Sequence, residues 1–119
     1  MQLKQLKVNK ANLAEVLFKS FPKYDEYCDH ENDDLLHILF TDFTLYVNSR
    51  QLQGELSKQE IEMFFLFTNH LAKIDDEYIM NIIDVSVIEV LMDSEKMSEL
   101  ASQNLKDNAL SMYNRHLST

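Results

Sequence analysis

The stretch Ser57-Lys58-Gln59-Glu60-Ile61-Glu62-Met63-Phe64-Phe65-Leu66-Phe67-Thr68-Asn69-His70-Leu71-Ala72 decides the fold class. Ser57 followed three residues later by Glu60 fits a capping box, in which each side chain satisfies a backbone N–H that the first helical turn leaves unpaired. Ile61, Phe64, Phe65, Thr68 and Leu71 then recur at the three- and four-residue spacing of a helix face. Phe64, Phe65 and Phe67 cover more than one face, so this helix is expected at the centre of a bundle, with one Phe left for a partner as the less favoured outcome. His70, beside that stripe, reads as a satisfied, partly buried residue.

The same periodicity extends outward on both sides. Upstream, Leu13, Val16, Leu17 and Phe21 form one face, which Pro22 is expected to end. Leu35, Leu36, Leu39, Phe40, Phe43, Tyr46 and Val47 form a wide second stripe. Asp33 or Asp34 is its natural N-cap, and Gly54 stands where a left-handed C-cap residue belongs. Downstream, Asp75 can cap a helix carrying Tyr78, Ile79, Ile82, Ile83, Ile88 and Leu91. Val85, Ser86 and Val87 would suit a strand, but the flanking helical period outvotes them. Asp93 or Ser94 opens a last stretch through Leu117, with a break expected near Asp107-Asn108. The short links favour antiparallel neighbours. The expected fold is all-α: a single domain over residues 1–119, built as a bundle of five or six mostly antiparallel helices.

Composition excludes several function classes. With one glycine in 119 residues, neither a dinucleotide-binding loop nor a P-loop can be made. A net charge of −9 disfavours direct binding to nucleic acid phosphates. The longest run free of Asp, Glu, Lys and Arg is ten residues, Met63 to Ala72, well short of the roughly 20 that span a bilayer. A lone Cys28 makes no internal disulfide and no zinc site by itself. No signal peptide is apparent, and a cytoplasmic protein that does not engage membranes is expected.

The charge is unevenly placed. Residues 24–49 hold seven acids (Asp25, Glu26, Asp29, Glu31, Asp33, Asp34, Asp42) and no Lys or Arg. Residues 74–95 hold another seven (Asp75, Asp76, Glu77, Asp84, Glu89, Asp93, Glu95), again without a Lys or Arg. The N-terminal segment carries Lys4, Lys7 and Lys10. Many of these acids can be helix caps or solvated surface. Two windows free of basic residues also suit a negative face for a cationic partner, since opposite charge speeds encounter. The stretch Tyr24-Asp25-Glu26-Tyr27, expected in a loop after Pro22, adds tyrosines of the kind that anchor interfaces, although one Tyr can equally pack beneath the loop.

Catalytic and metal signatures are weak. His37 follows Asp33 by four residues and Asp34 by three, so a carboxylate could orient it, but no nucleophile signature stands nearby. A small hydrolase using His37 with Asp33 or Asp34 is therefore a minor reading, and binding rather than catalysis is expected. The oxygen-rich segment 25–34 lacks the spacing and the sixth-position Gly of an EF-hand. No Glu-x-x-His pair recurs, and no Arg with a following His at ribonuclease spacing is found. No metal and no cofactor are expected.

The segments His37-Ile38-Leu39-Phe40-Thr41-Asp42-Phe43 and Ile83-Asp84-Val85-Ser86-Val87-Ile88-Glu89-Val90-Leu91 resemble a family of small, acidic, helical bacterial proteins often described only as of unknown function. The resemblance covers roughly residues 35–117 and rests mostly on apolar spacing. In size and charge the chain is also similar to the immunity proteins of contact-dependent inhibition and polymorphic toxin systems. That resemblance implies a non-catalytic protein that binds a cognate toxin domain with a basic cleft, most often a nuclease, and blocks it. The colicin DNase immunity proteins resemble this solution, with acids and tyrosines on helices, though without sequence relation. Interfaces of this kind diversify with their toxins, so no contact residue transfers from the family. The residues expected to bind the toxin are Tyr24, Asp25, Glu26, Tyr27, Asp29, Glu31, Asp33 and Asp34, then Asp75, Asp76 and Glu77. The alternative expectation is a helical adaptor or regulator that binds a basic protein partner.

Overall fold

Helix termini show how the local sequence becomes structure. In the computed structural model, which describes residues 7–119, Ser57 Oγ accepts from the Glu60 N–H and Glu60 Oε1 accepts from the Ser57 N–H, opening α4 (Lys58–Ala72) with a complete capping box. Those hydrogen bonds hold the Glu60 carboxyl below the usual carboxylate range. The preceding helix, α3 (Leu36–Leu52), ends in a Schellman motif: Glu55 N–H donates to Arg50 O and Gly54 N–H to Gln51 O, with Gly54 at φ 72°. A side chain at that φ is strained, which is why the chain's only glycine sits there.

Three starts depart from the sequence reading. Pro22 does not lead into a loop. It opens a short helix, α2 (Pro22–Tyr27), directly after α1 (Leu13–Ser20), because proline's fixed φ and missing N–H suit a first helical turn. Neither Asp33 nor Asp34 caps α3; Leu35 occupies the N-cap with no side-chain hydrogen bond, and Asp33 turns instead to His30. Asp76, not Asp75, caps α5, accepting from the N–H groups of Tyr78 and Ile79.

The helix α5 is continuous but not uniform. It runs as α-helix over Glu77–Ile82, widens to a π-helix over Ile83–Ile88 and ends with α-helical turn Glu89–Leu91. The β-branched Val85-Ser86-Val87 segment lies inside the wide turn, so helical periodicity prevails over strand propensity there. Ser86, Val87 and Ile88 are all buried, and three consecutive buried residues exceed what the stripe of an ordinary surface helix covers. Ser94 caps α6 (Glu95–Asn104) by accepting from Met97 N–H. The chain breaks at Leu105 and Lys106 before α7 (Asp107–Leu117), close to the expected position.

The described residues thus form seven helices around one core. The short α2 is the helix that adds to the five or six expected from the sequence. Phe40 meets Phe67 and Phe43 meets Phe64, a descending register that sets α3 and α4 antiparallel. Phe64, Phe65 and Phe67 are all buried, so α4 is central and no Phe remains for a partner. At α5, Asn48 Nδ2 donates to Val90 O, and His37 Nδ1 lies 3.0 Å from Ser86 Oγ. Ser98 and Tyr113 close the α6–α7 hairpin through their hydroxyls. Asn69 stitches α4 to the α6–α7 break, donating to Asn104 O and accepting from Lys106 N–H. Among the described residues, no helix is long and apolar enough to cross a membrane. Lys4 of the basic N-terminal segment lies outside the described residues.

Candidate functional site

The first acid-rich window folds into α2, the loop 28–35 and the outer face of α3. Helical geometry divides the Tyr24-Asp25-Glu26-Tyr27 stretch between core and solvent. Tyr24 is fully buried, with its ring against Phe43 and Tyr46 and its hydroxyl donating to Asp42 Oδ2 at 2.7 Å. Burial, and next the bond to Asp42, push the Tyr24 hydroxyl pKa well above the ordinary tyrosine value. Tyr24 is therefore not a surface anchor. It roots α2 in the core, as the packing alternative anticipated.

Tyr27 is the opposite case. It stands 66% exposed, braced from within by the Tyr46 ring at 4.7 Å and the Tyr24 ring at 6.2 Å. Near it, Ile38 is 51% and Leu45 49% exposed on the outer face of α3, one helical heptad apart. Leu35 and Leu52 continue that exposed apolar row toward the two ends of the helix. Helical spacing alone does not say which stripe faces inward, so the sequence does not separate Leu35, Ile38 and Leu45 from the core residues of α3. A groove of about 380 Å³ between α2 and α3 is lined by Tyr27, Cys28, Asp29, Ile38 and Asp42, joining apolar and acidic groups.

The loop acids divide likewise. His30, at φ 63°, places Nδ1 2.8 Å from Asp33 Oδ2 and Nε2 2.9 Å from Asp25 Oδ1. The hydrogen bond to Asp33, and next that to the Asp25 backbone carbonyl, raise the His30 pKa. Asp29 Oδ1 accepts from Glu31 N–H and shapes the turn. Glu26, Asp34, Asp75 and Glu77 make no ion pair among the described residues.

The second window packs against the first along α3 and α5, with His37 beside Ser86 and Asn48 donating to Val90 O, and one corner of that contact carries a cation. Tyr78, at the start of α5, packs its ring 5.7 Å from His37 and beneath Lys10 Nζ at 4.3 Å. Lys10 also lines a shared cleft with Asp33 and Asp34, so one cation stands beside the corner where the windows approach. One acid of the second window turns inward: Asp84 is held by Arg115 and by His116 Nε2 at 2.7 Å, both from α7, while Asp75, Glu77, Glu89, Asp93 and Glu95 stay exposed.

His37 is not oriented by Asp33 or Asp34 on a shared helix, because α3 begins only at Leu36. Its partner is Ser86, forty-nine residues away and 2% exposed, and that bond ties α3 to the wide turn of α5.

A family model for a domain of unknown function, DUF7674, matches residues 14–118, from the start of α1 to the end of α7. The chain belongs to the DUF7674 family. The match takes in both acid-rich windows, so the α2–α3 face is part of the DUF7674 domain itself. Comparison with curated proteins and with solved structures returned no match for this DUF7674 chain.

Proposed function

We propose that this protein is an immunity protein that binds a cognate toxin domain, most simply a ribonuclease, in the cytosol of the producing cell and neutralises it. The observation that carries this reading is the α2–α3 face. Tyr27, Ile38 and Leu45 are exposed beside Asp29 and Asp42, within 26 consecutive residues that contain no Lys or Arg. Each half of that combination has a physical role in tight, fast binding. The acids steer a basic surface into encounter and lose their effect as salt screens them. The apolar side chains supply area that is desolvated at the centre of an interface, where most affinity resides. A nuclease cleft that holds phosphates presents the complementary surface of Lys and Arg around apolar base-binding walls.

The test is co-expression with the toxin domain encoded beside this chain, followed by binding kinetics. Wild-type protein restores growth and forms a one-to-one complex whose association rate falls steeply between about 50 and 500 mM salt. The double variant Tyr27→Ala/Ile38→Asp folds and fails to rescue. Rescue undiminished by that variant, or an association rate indifferent to salt, overturns the assignment of this face.

A further inference from the structure

The loop between α2 and α3 collects three different metal-ligating side chains in six residues. We infer that Cys28, His30 and Asp33 form a zinc-binding site with three protein ligands, its fourth position open to water or to a donor from another molecule. The inference stands independently of the toxin-binding reading.

One ligand atom from each of Cys28, His30 and Asp33 lies within 4.8 Å of the others. Tetrahedral zinc with bonds of about 2.0–2.3 Å holds its donors roughly 3.3–3.8 Å apart. Closure by about an ångström in a surface loop therefore completes the set. The donor chemistry is selective: a thiolate, an imidazole and a carboxylate suit zinc, whereas calcium and magnesium require an all-oxygen shell.

One further observation points to a cation at this spot, and the setting of the imidazole can accommodate it. That observation is Asp33 Oδ1, an inward-facing oxygen of a half-exposed carboxylate, itself shielded from solvent and with no hydrogen-bond partner. A buried acceptor without a partner is costly, and a metal ion removes the cost. His30 has oxygen acceptors on both ring nitrogens: Asp33 Oδ2 at Nδ1, and the backbone and side-chain oxygens of Asp25 at Nε2, each at 2.9 Å. With zinc on Nδ1, the Nε2–H still donates to Asp25, which is the outer carboxylate that commonly fixes a metal-bound histidine. The Phe18 ring at 4.6 Å supports the imidazole from beneath. Cys28 is only partly exposed, and its Sγ already faces the loop, 3.4 Å from the His30 N–H. Zinc here would tie the end of α2 to the start of α3 and hold the acidic loop in one shape.

Cobalt(II) titration of the full-length, chelator-treated protein tests the site directly, because a thiolate–cobalt bond gives an intense near-ultraviolet charge-transfer band. Saturation of that band at one equivalent, its displacement by zinc, and its absence in Cys28→Ser are the expected results. His30→Gln and Asp33→Asn, which alter exposed or half-exposed loop positions and leave the core intact, should each weaken zinc affinity at least tenfold. Absence of the band in folded wild-type protein, or a band and affinity unchanged in His30→Gln, overturns the inference.

Discussion

The two acid-rich windows each carry seven acids and no Lys or Arg, yet the fold surrounds them differently. In residues 24–49, Asp29 and Asp42 line an exposed face beside Tyr27, Ile38 and Leu45, and among the described residues only His30 pairs with the window's acids through ion contacts. In residues 74–95, Asp76 is consumed as a helix cap and Asp84 is held between Arg115 and His116. The difference teaches that a local charge count measures electrostatic content and not its availability. The cations that hold Asp84 arrive more than thirty residues later, on α7, while the exposed acids of that window have no ion pair among the described residues. The first window has no comparable donor from elsewhere in the described fold, apart from Lys10 at its edge.

The largest effect that bears on this comparison concerns what holds the exposed face in place. Replacing buried Tyr24 by Ala removes a core aromatic ring and should cost about 3–5 kcal/mol of unfolding free energy in a denaturant titration. Tyr24→Phe keeps the ring and loses only the bond to Asp42, for about 1 kcal/mol. Equal costs for the two variants would mean that the hydroxyl, not the packing, anchors α2.

A smaller effect should separate the windows as binding surfaces. Neutralising the first as Glu26→Gln/Asp29→Asn/Asp34→Asn should slow association with the toxin partner proposed above by about 10- to 100-fold at low salt. Neutralising the second as Asp75→Asn/Glu77→Gln should change it less than about threefold. Stopped-flow association rates decide, and equal losses would break the distinction between the windows. The smallest effect belongs to the inward-turned acid. Asp84→Asn should cost about 1–2 kcal/mol of stability, since a largely buried carboxylate loses its charge-assisted bonds to Arg115 and His116, while leaving association unchanged.

Much of the fold was legible because helix signals are local. The capping box at Ser57 and Glu60, the left-handed Gly54, the Ser94 cap and the central, Phe-rich α4 all follow from residues within a few positions of one another. Pro22 shows the limit of that reading: the same residue ends one helix and begins another, and only the packing of Tyr24 into the core makes the second outcome stable. The site was legible as charge but not as shape. Which of Tyr24 and Tyr27 points outward depends on the phase of α2. Which acids are spoken for depends on partners such as Arg115, brought close only by tertiary structure. The exposed row on α3 was hidden among the apolar residues that make the core, and the grouping of His30 and Asp33 around Cys28 depends on a left-handed residue at position 30.

The wide turn in α5 can be understood as a phase correction. At about 100° per residue, Ile79, Ile82 and Ile83 fall within one sector of an ideal α-helix, whereas Ile88 and Leu91 project onto the far side of it. Both are nonetheless fully buried. Discounting one residue inside Ile83–Ile88, which is what a π turn does, rotates Ile88 and Leu91 back into the sector of the others. The apolar pattern of α5 is thus written one residue out of step with itself, and the turn absorbs the slip. A chain shortened by one residue within this segment would run as an unbroken α-helix with both halves facing the same core.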